Sequence, residues 1–263
     1  MQPPVWPAFP APSAFAALYG RAPSSAIAAA KANGQALGVM LAEVGVTVDA
    51  TPLLDVAQPD MTGAIGDRSF GADPMQVAAL GRATLDGLAA AGVVGIVKHM
   101  PGHGRATVDS HLELPRVSAP AEALEQDIAP FATLASAPMA MTAHVVFEAW
   151  DADRPATLSP TVIRDIIRGR IGFDGLLMTD DIDMKALSGA PADKAAIASA
   201  AGCDVVLDCW ARLDEMAAIA DRLDEIAPES RARLDRAMAA IGTTSASTLA
   251  ELIDTRDRLL ALA

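Results

Sequence analysis

Five short apolar runs set the pattern of this chain: residues 46–56, 92–100, 139–145, 175–181 and 203–209. Each is followed by a loop and then by a stretch with helical periodicity. Strands alternating with helices form a parallel sheet. Runs this apolar are expected where both faces of the sheet are covered. Polar residues collect where the runs end: Asp55, Lys98 and His99, His144, Asp180 and Asp181, and Asp208. In a (β/α)8-type TIM barrel those strand ends surround the active site. A doubly wound sheet would also bind ligands there, but no G-x-G-x-x-G follows a strand. The expected fold is therefore α/β, a (β/α)8-type barrel, although only five strands are found. No low-complexity linker divides the chain, so residues 1–263 are expected to form a single domain.

The helical stretches carry local signals. One runs over residues 24–44, with Ser24 as the expected N-cap and Gly45 as the stop. Asp73, Pro74 and Gln76 mark a helix start that runs to about residue 91. Further helices are expected at 120–135, at 159–170, up to Gly202 and from about 212. Two more close the chain, the last opened by a capping box of Thr248 and Glu251. Residues 1–13, rich in proline, are expected to be extended.

Composition excludes several functions. The net charge of −13 and the scattered basic residues argue against nucleic acid as a partner. The uncharged first twenty residues lack the basic start of a signal peptide, and five prolines prevent a membrane helix. With no other apolar run long enough to cross a bilayer, no membrane partner and a cytoplasmic location are expected. Cys203 and Cys209, on one strand, would lie roughly 20 Å apart by strand rise, too far to bond. They read as buried thiols, and no zinc spacing surrounds them.

The chemistry concentrates in residues 98–115, KHMPGHGRATVDSHLELP, which hold three of the four histidines. Asp109 and His111 have the i, i+2 spacing of a carboxylate orienting an imidazole for proton transfer near neutral pH. Asp180 offers a carboxylate from another strand, as nucleophile or cation stabiliser. Its neighbour Asp181 points to the opposite face. Arg68, Lys98, His99 and His144 add donors suited to hydroxyls, and Met184 reads either as core packing, like the other methionines, or as the border of a sugar pocket. An acid/base opposite a carboxylate is the logic of retaining glycoside hydrolysis. His99, His103, His111, His144 and Asp180 as metal ligands form the alternative. Against it, His99 and His103 are separated by a Pro-Gly turn, not aligned on a helix.

The same residues resemble a known family. KHMPGHGRATVDSHLELP is similar to the KHFPGHG…DSH…LP signature of glycoside hydrolase family 3, and most similar to its bacterial β-N-acetylglucosaminidases of cell-wall recycling. WPAFPAPSAFAAL, TPLLDV, IGDRSFGADP, MTAHVVF, RPATLSP, IGFDGLLMTDDIDM and AGCDVVL resemble the family's stretches in the same order. The resemblance implies Asp180 as nucleophile, His111 as acid/base with Asp109 as its partner on a mobile loop, and Arg68, Lys98 and His99 as ligands of an N-acetylglucosamine ring. It implies double displacement with retention on muropeptides or chito-oligosaccharides, without metal or cofactor, with phosphate replacing water as a variant.

One departure is large. The family's second strand ends in a D-x-E-G-G-R motif that holds sugar hydroxyls, and no such motif occurs in this chain. The expectation is a barrel lacking its first strand–helix units, truncated at the N-terminus. An inactive, non-catalytic homologue is the alternative to the enzyme.

Overall fold

The computed structural model describes residues 6–243 and 247–263. Its centre is a parallel sheet of β1 (Val48–Asp49), β2 (Val94–Met100), β4 (Met139–Thr142), β6 (Leu176–Asp181) and β7 (Val205–Leu207), side by side in that order. Neighbours pair in register through Val48 and Val94, Ile96 and Met139, Met139 and Leu176, and Met178 and Val205. A short parallel ribbon joins β3 (Arg116–Val117) to β5 (Val146–Phe147). The helices are α1 (Pro12–Tyr19), α2 (Pro23–Glu43), α3 (Pro74–Ala90), α4 (Ala121–Thr133), a π-helical stretch (Val162–Arg170), α5 (Pro191–Ala201), α6 (Leu213–Arg222), α7 (Pro228–Ala239) and α8 (Leu249–Leu260). This is the parallel, helix-covered architecture of a (β/α)8-type barrel, with five barrel strands among the described residues. None of the described helices is long and apolar enough to cross a membrane.

Local signals explain most boundaries. Asp73 caps α3 by accepting the N–H groups of Met75 and Gln76, with Pro74 at the first turn. Thr248 and Glu251 form the reciprocal capping box of α8. α2 starts one residue before the expected Ser24 cap, on Pro23, with Ala22 at the N-cap position. Proline supplies the helical φ there, and its missing N–H is one the first turn would leave unpaired. Pro12 does the same for α1, which cuts into the segment expected to be extended. The first five residues of that segment lie outside the described residues.

The strand expected over residues 46–56 is much shorter. Only Val48–Asp49 pairs as a strand, and Leu53 resumes contact as an isolated bridge to Lys98. Pro52 between them has no N–H to donate to the ladder. Cys203 is buried as expected, but Cys209 is exposed. The strand stops at Leu207, so Cys209 has already left the sheet.

Alternation divides the sheet into two faces. Val97, Ala140 and Leu177 face the outer helices, in a core with Leu80 of α3, Phe131 of α4 and Ile163 of the π-helical stretch. Where α2 crosses α3 the backbones nearly touch: a Cβ on Gly87 would lie 2.2 Å from the Lys31 carbonyl. Ile96, Met139, Met141, Leu176, Met178 and Val205 form the other, inner face.

Helix α7 lies on that inner face through Leu234, Ala237 and Met238. Asp204, immediately before β7 and 1% exposed, ties it down. Its carboxylate accepts from Arg168 (2.7 Å), Arg233 (3.0 Å), the Ser230 hydroxyl (2.6 Å) and the Leu177 N–H (2.8 Å). A cavity of about 350 Å³, lined in part by Pro138, Gly175, Arg233 and Arg236, opens where β4 and β6 begin. The polar strand ends lie at the opposite end of the sheet.

Candidate active site

Asp180 continues the inward-facing row Leu176, Met178 of β6, so alternation carries it to the top of the inner face. Asp181 points the other way, and its Oδ1 accepts the N–H groups of Asp183 (3.1 Å) and Cys209 (3.3 Å). The sequence expectation that the two carboxylates diverge is therefore met. Asp180 Oδ1 accepts the Asp181 N–H at 2.8 Å. Its Oδ2 lies 3.8 Å from His99 Nε2. Burial alone would raise the pKa of Asp180. The charges of His99 and His144, the Asp181 N–H and the Lys98 ammonium outweigh it, and hold the carboxyl below the usual range. The group is ionised at neutral pH and half-buried, a state in which a carboxylate can act as a nucleophile.

His99 is fixed from behind by Asp55, a residue absent from the sequence-based candidates. Asp55 is fully buried. Its Oδ2 is 2.8 Å from His99 Nδ1, and its Oδ1 accepts the N–H groups of His99 (3.2 Å) and His103 (2.6 Å). Burial pushes this carboxyl up, but the His99 and His103 contacts more than reverse it, and its pKa is lowered. An ionised Asp55 accepts the Nδ1–H of His99 and turns Nε2 toward Asp180. The only sequence signal for Asp55 is its position in the row of polar strand ends.

Lys98 and Arg68 supply positive charge to the same place. Burial first, then the nearby Arg68 guanidinium, lower the pKa of Lys98, while Asp180 and Asp49 oppose them. Arg68 is half-buried, with Nη1 donating to the Ala64 carbonyl at 3.0 Å. His144 is buried: Nε2 donates to the Asp181 carbonyl (3.0 Å), and Nδ1 lies 2.7 Å from the Thr157 hydroxyl. Both ring nitrogens are thus engaged, and His144 braces the end of β6. Burial lowers its pKa and favours the neutral ring. Met184 is buried, with its N–H on the Asp181 carbonyl at 3.1 Å.

Asp109 and His111 form a pair of their own. His111 Nδ1 is 2.7 Å from Asp109 Oδ1, and the His111 N–H donates to the same oxygen at 2.9 Å. That N–H, followed by the imidazole, lowers the pKa of Asp109. The His111 side chain is 64% exposed, on the loop between β2 and β3. Ser110 anchors this loop: its hydroxyl is 3.2 Å from His103 Nε2, and its carbonyl accepts the Ala186 N–H at 3.2 Å. The loop that carries His111 is therefore tied to the segment that follows Asp180. Among the described residues His111 makes no hydrogen bond to Asp180.

His103, buried, braces the loop through its backbone and Ser110. Its Nδ1 has no partner among the described residues, and burial followed by the charge of His99 pushes its pKa down to about 4. The described residues contain no group of three or more His, Cys, Asp or Glu side chains arranged to hold a metal.

Residues 6–243 match the glycosyl hydrolase family 3 N-terminal domain. The chain belongs to this family. Among family 3 relatives it is 40% identical over 205 residues to a beta-hexosaminidase of Alkalilimnicola ehrlichii, covering 76% of this chain and 58% of that protein. It is 39% identical over 224 residues to a beta-hexosaminidase of Aromatoleum aromaticum, covering 83% and 62%. The chain thus spans about three fifths of the length of these curated relatives. NagZ from Neisseria gonorrhoeae, solved with N-trifluoroacetyl-D-glucosamine, superposes with a TM-score of 0.83 at 30% identity, covering 97% of this chain and 76% of that one. A family 3 beta-N-acetylglucosaminidase from Paenibacillus gives 0.82 at 30% identity, covering 95% and 51%.

Proposed function

We propose that this chain is a retaining exo-β-N-acetylhexosaminidase that releases N-acetylglucosamine from muropeptides or related cell-wall fragments. The observation that carries this reading is Asp180: a carboxylate kept ionised at a strand end, with His99 Nε2 3.8 Å away. In the first step an Asp180 oxygen attacks the anomeric carbon while His111 gives its proton to the leaving oxygen. In the second, His111 takes a proton from water, whose oxygen displaces Asp180 and restores the original configuration. Asp109 holds the His111 ring and stabilises its charged form. A neutral deprotonated imidazole does not repel an anionic leaving group.

Arg68, Lys98 and His99 are assigned to the sugar hydroxyls, and His144 and Met184 to the wall around Asp180. The exposed loop must carry His111 over the bound sugar. Residues 1–263 act as one catalytic domain in this reading, in the cytoplasm, on a small carbohydrate with no nucleic-acid or membrane partner. The names of the relatives and the ligand of the Neisseria structure support this substrate class. The test is hydrolysis of a chromogenic aryl β-N-acetylglucosaminide by the full chain. Turnover is expected, with retained configuration in the first product, and Asp180→Asn is expected to abolish it. Unchanged turnover by Asp180→Asn would overturn the assignment.

A further inference from the structure

Beyond β7 the chain turns a tightly held corner. The Cys209 N–H donates to Asp181 Oδ1 at 3.3 Å, and the Trp210 N–H to Asp208 Oδ1 at 3.3 Å. Ala211 follows with φ 52°, the only non-glycine residue at positive φ among the described residues. Alanine in this region costs about 1 kcal/mol or more, and such conformations gather at functional sites.

The corner displays Trp210. Its side chain is large and flat, yet the residue is 63% exposed. The Arg212 guanidinium lies 5.8 Å from its ring centroid. Arg212 is itself bound to Asp183 Oδ2 at 2.8 Å and to Glu215 Oε2 at 2.6 Å. The indole is therefore linked through Arg212 to the segment that follows Asp180. Parallel strands put the C-terminal ends of β6 and β7 at the same end of the sheet, so the corner borders the site. The Cys209 thiol registers that proximity: burial, then the charges of Asp181 and Asp180, push it up to about 11.

An exposed tryptophan just beyond the strand end next to that of Asp180, with the Arg212 guanidinium near its ring, suits a sugar better than it suits a protein partner. An all-equatorial pyranose presents its C–H groups on its two flat faces, and these pack on an aromatic face. The sugar cleaved at Asp180 is held by the charged residues on β2 and the loop of Arg68. The indole on the β7 side is free to take the unit across the scissile bond. We propose that Trp210 is the stacking platform for the leaving-group sugar. This assignment rests on the glycosidase reading above.

The test compares two substrates of the full chain: N,N′-diacetylchitobiose, whose leaving group is a sugar, and N-acetylglucosaminyl fluoride, whose leaving group is one atom. Trp210→Ala is expected to lower the ratio of kcat/KM for the first over the second by about tenfold, the scale of one stacked ring. Trp210→Phe should retain part of the ratio, and Leu213→Ala, a neighbouring exposed apolar residue, all of it. A wild-type ratio in Trp210→Ala, or an equal loss on both substrates, overturns the stacking role while leaving the glycosidase intact. Failure of the unaltered chain to hydrolyse either substrate removes both proposals together.

Discussion

The carboxylate of Asp55 holds His99 at two points. Oδ1 accepts the backbone N–H at 3.2 Å, and Oδ2 meets ring Nδ1 at 2.8 Å. Asp55 also accepts the His103 N–H, so one buried group sets the imidazole facing Asp180 and the start of the histidine loop. Asp55→Ala leaves these donors buried without an acceptor. Each buried donor left without a partner costs about 1–3 kcal/mol. Asp55→Asn keeps the size and one acceptor oxygen, and should cost less. Urea denaturation of the three proteins should give that order, and turnover should fall in both variants because His99 loses its orientation.

The proposed proton transfer by the Asp109 and His111 pair predicts a dependence on the leaving group. Asp109→Ala removes the acceptor 2.7 Å from His111 Nδ1. General acid–base assistance contributes roughly 10²–10⁴-fold, most where the departing oxygen is a strong base. The loss in kcat/KM should therefore be large for an alkyl N-acetylglucosaminide and small for a nitrophenyl one. A series of leaving groups of graded acidity measures this. The same loss at every leaving group would show that Asp109 serves the loop fold, not the proton.

Much of this site was legible because it follows the strand period. Lys98, His99 and Asp180 end apolar runs, and the divergence of Asp180 from Asp181 follows from pleating alone. Asp55 also ends such a run, but its role depends on two N–H groups, one on β2 and one on the loop after it, more than forty residues away, which no local pattern encodes. Helix α7 was legible as a helix, not as the cover of the inner sheet face. Charged residues are spread along its length, and only Leu234, Ala237 and Met238 meet the sheet. The expected strand over residues 46–56 shrank because hydrophobic alternation says nothing about the donor missing at Pro52. The corner at Trp210 escaped notice because a backbone turn and an Arg–Trp contact, not a motif, make it a feature.

Acid should weaken this fold through its buried histidines. His103 has a pKa pushed down to about 4, against 6.5 when exposed on unfolding. Between those values the unfolded chain binds a proton that the folded chain does not. Stability therefore rises with pH across this window, and is lost as pH falls from 6.5 to 4. One proton corresponds to a slope of at most about 1.4 kcal/mol per pH unit. His103→Asn removes this titration and should make the slope shallower. Some slope should remain, since the pKa of His144 is also lowered. Asp55, whose pKa is depressed, contributes stability that is lost only at lower pH, below its ordinary value of 3.8. Denaturation free energies measured from pH 4 to 7 separate the two.

The histidine loop also depends on one missing side chain. A Cβ on Gly104 would lie 1.8 Å from the carbonyl oxygen of Val56, the residue after Asp55. No rotamer relieves that clash, because the obstacle is backbone. Gly104→Ala must push the loop away from the Asp55 strand end, lengthening the 2.6 Å bond from the His103 N–H to Asp55. Overpacking of this kind costs about 1–3 kcal/mol, and the stretched buried hydrogen bond adds to it. Gly63→Ala is the control: it is exposed, and nothing lies within 4 Å of its added Cβ. That variant should stay within about 0.5 kcal/mol of the parent. If both variants melt with the parent, the loop backbone does not rest on the Asp55 strand end as described. If only Gly104→Ala falls, and its residual turnover falls further than its folded fraction, the seating of the loop governs both stability and catalysis.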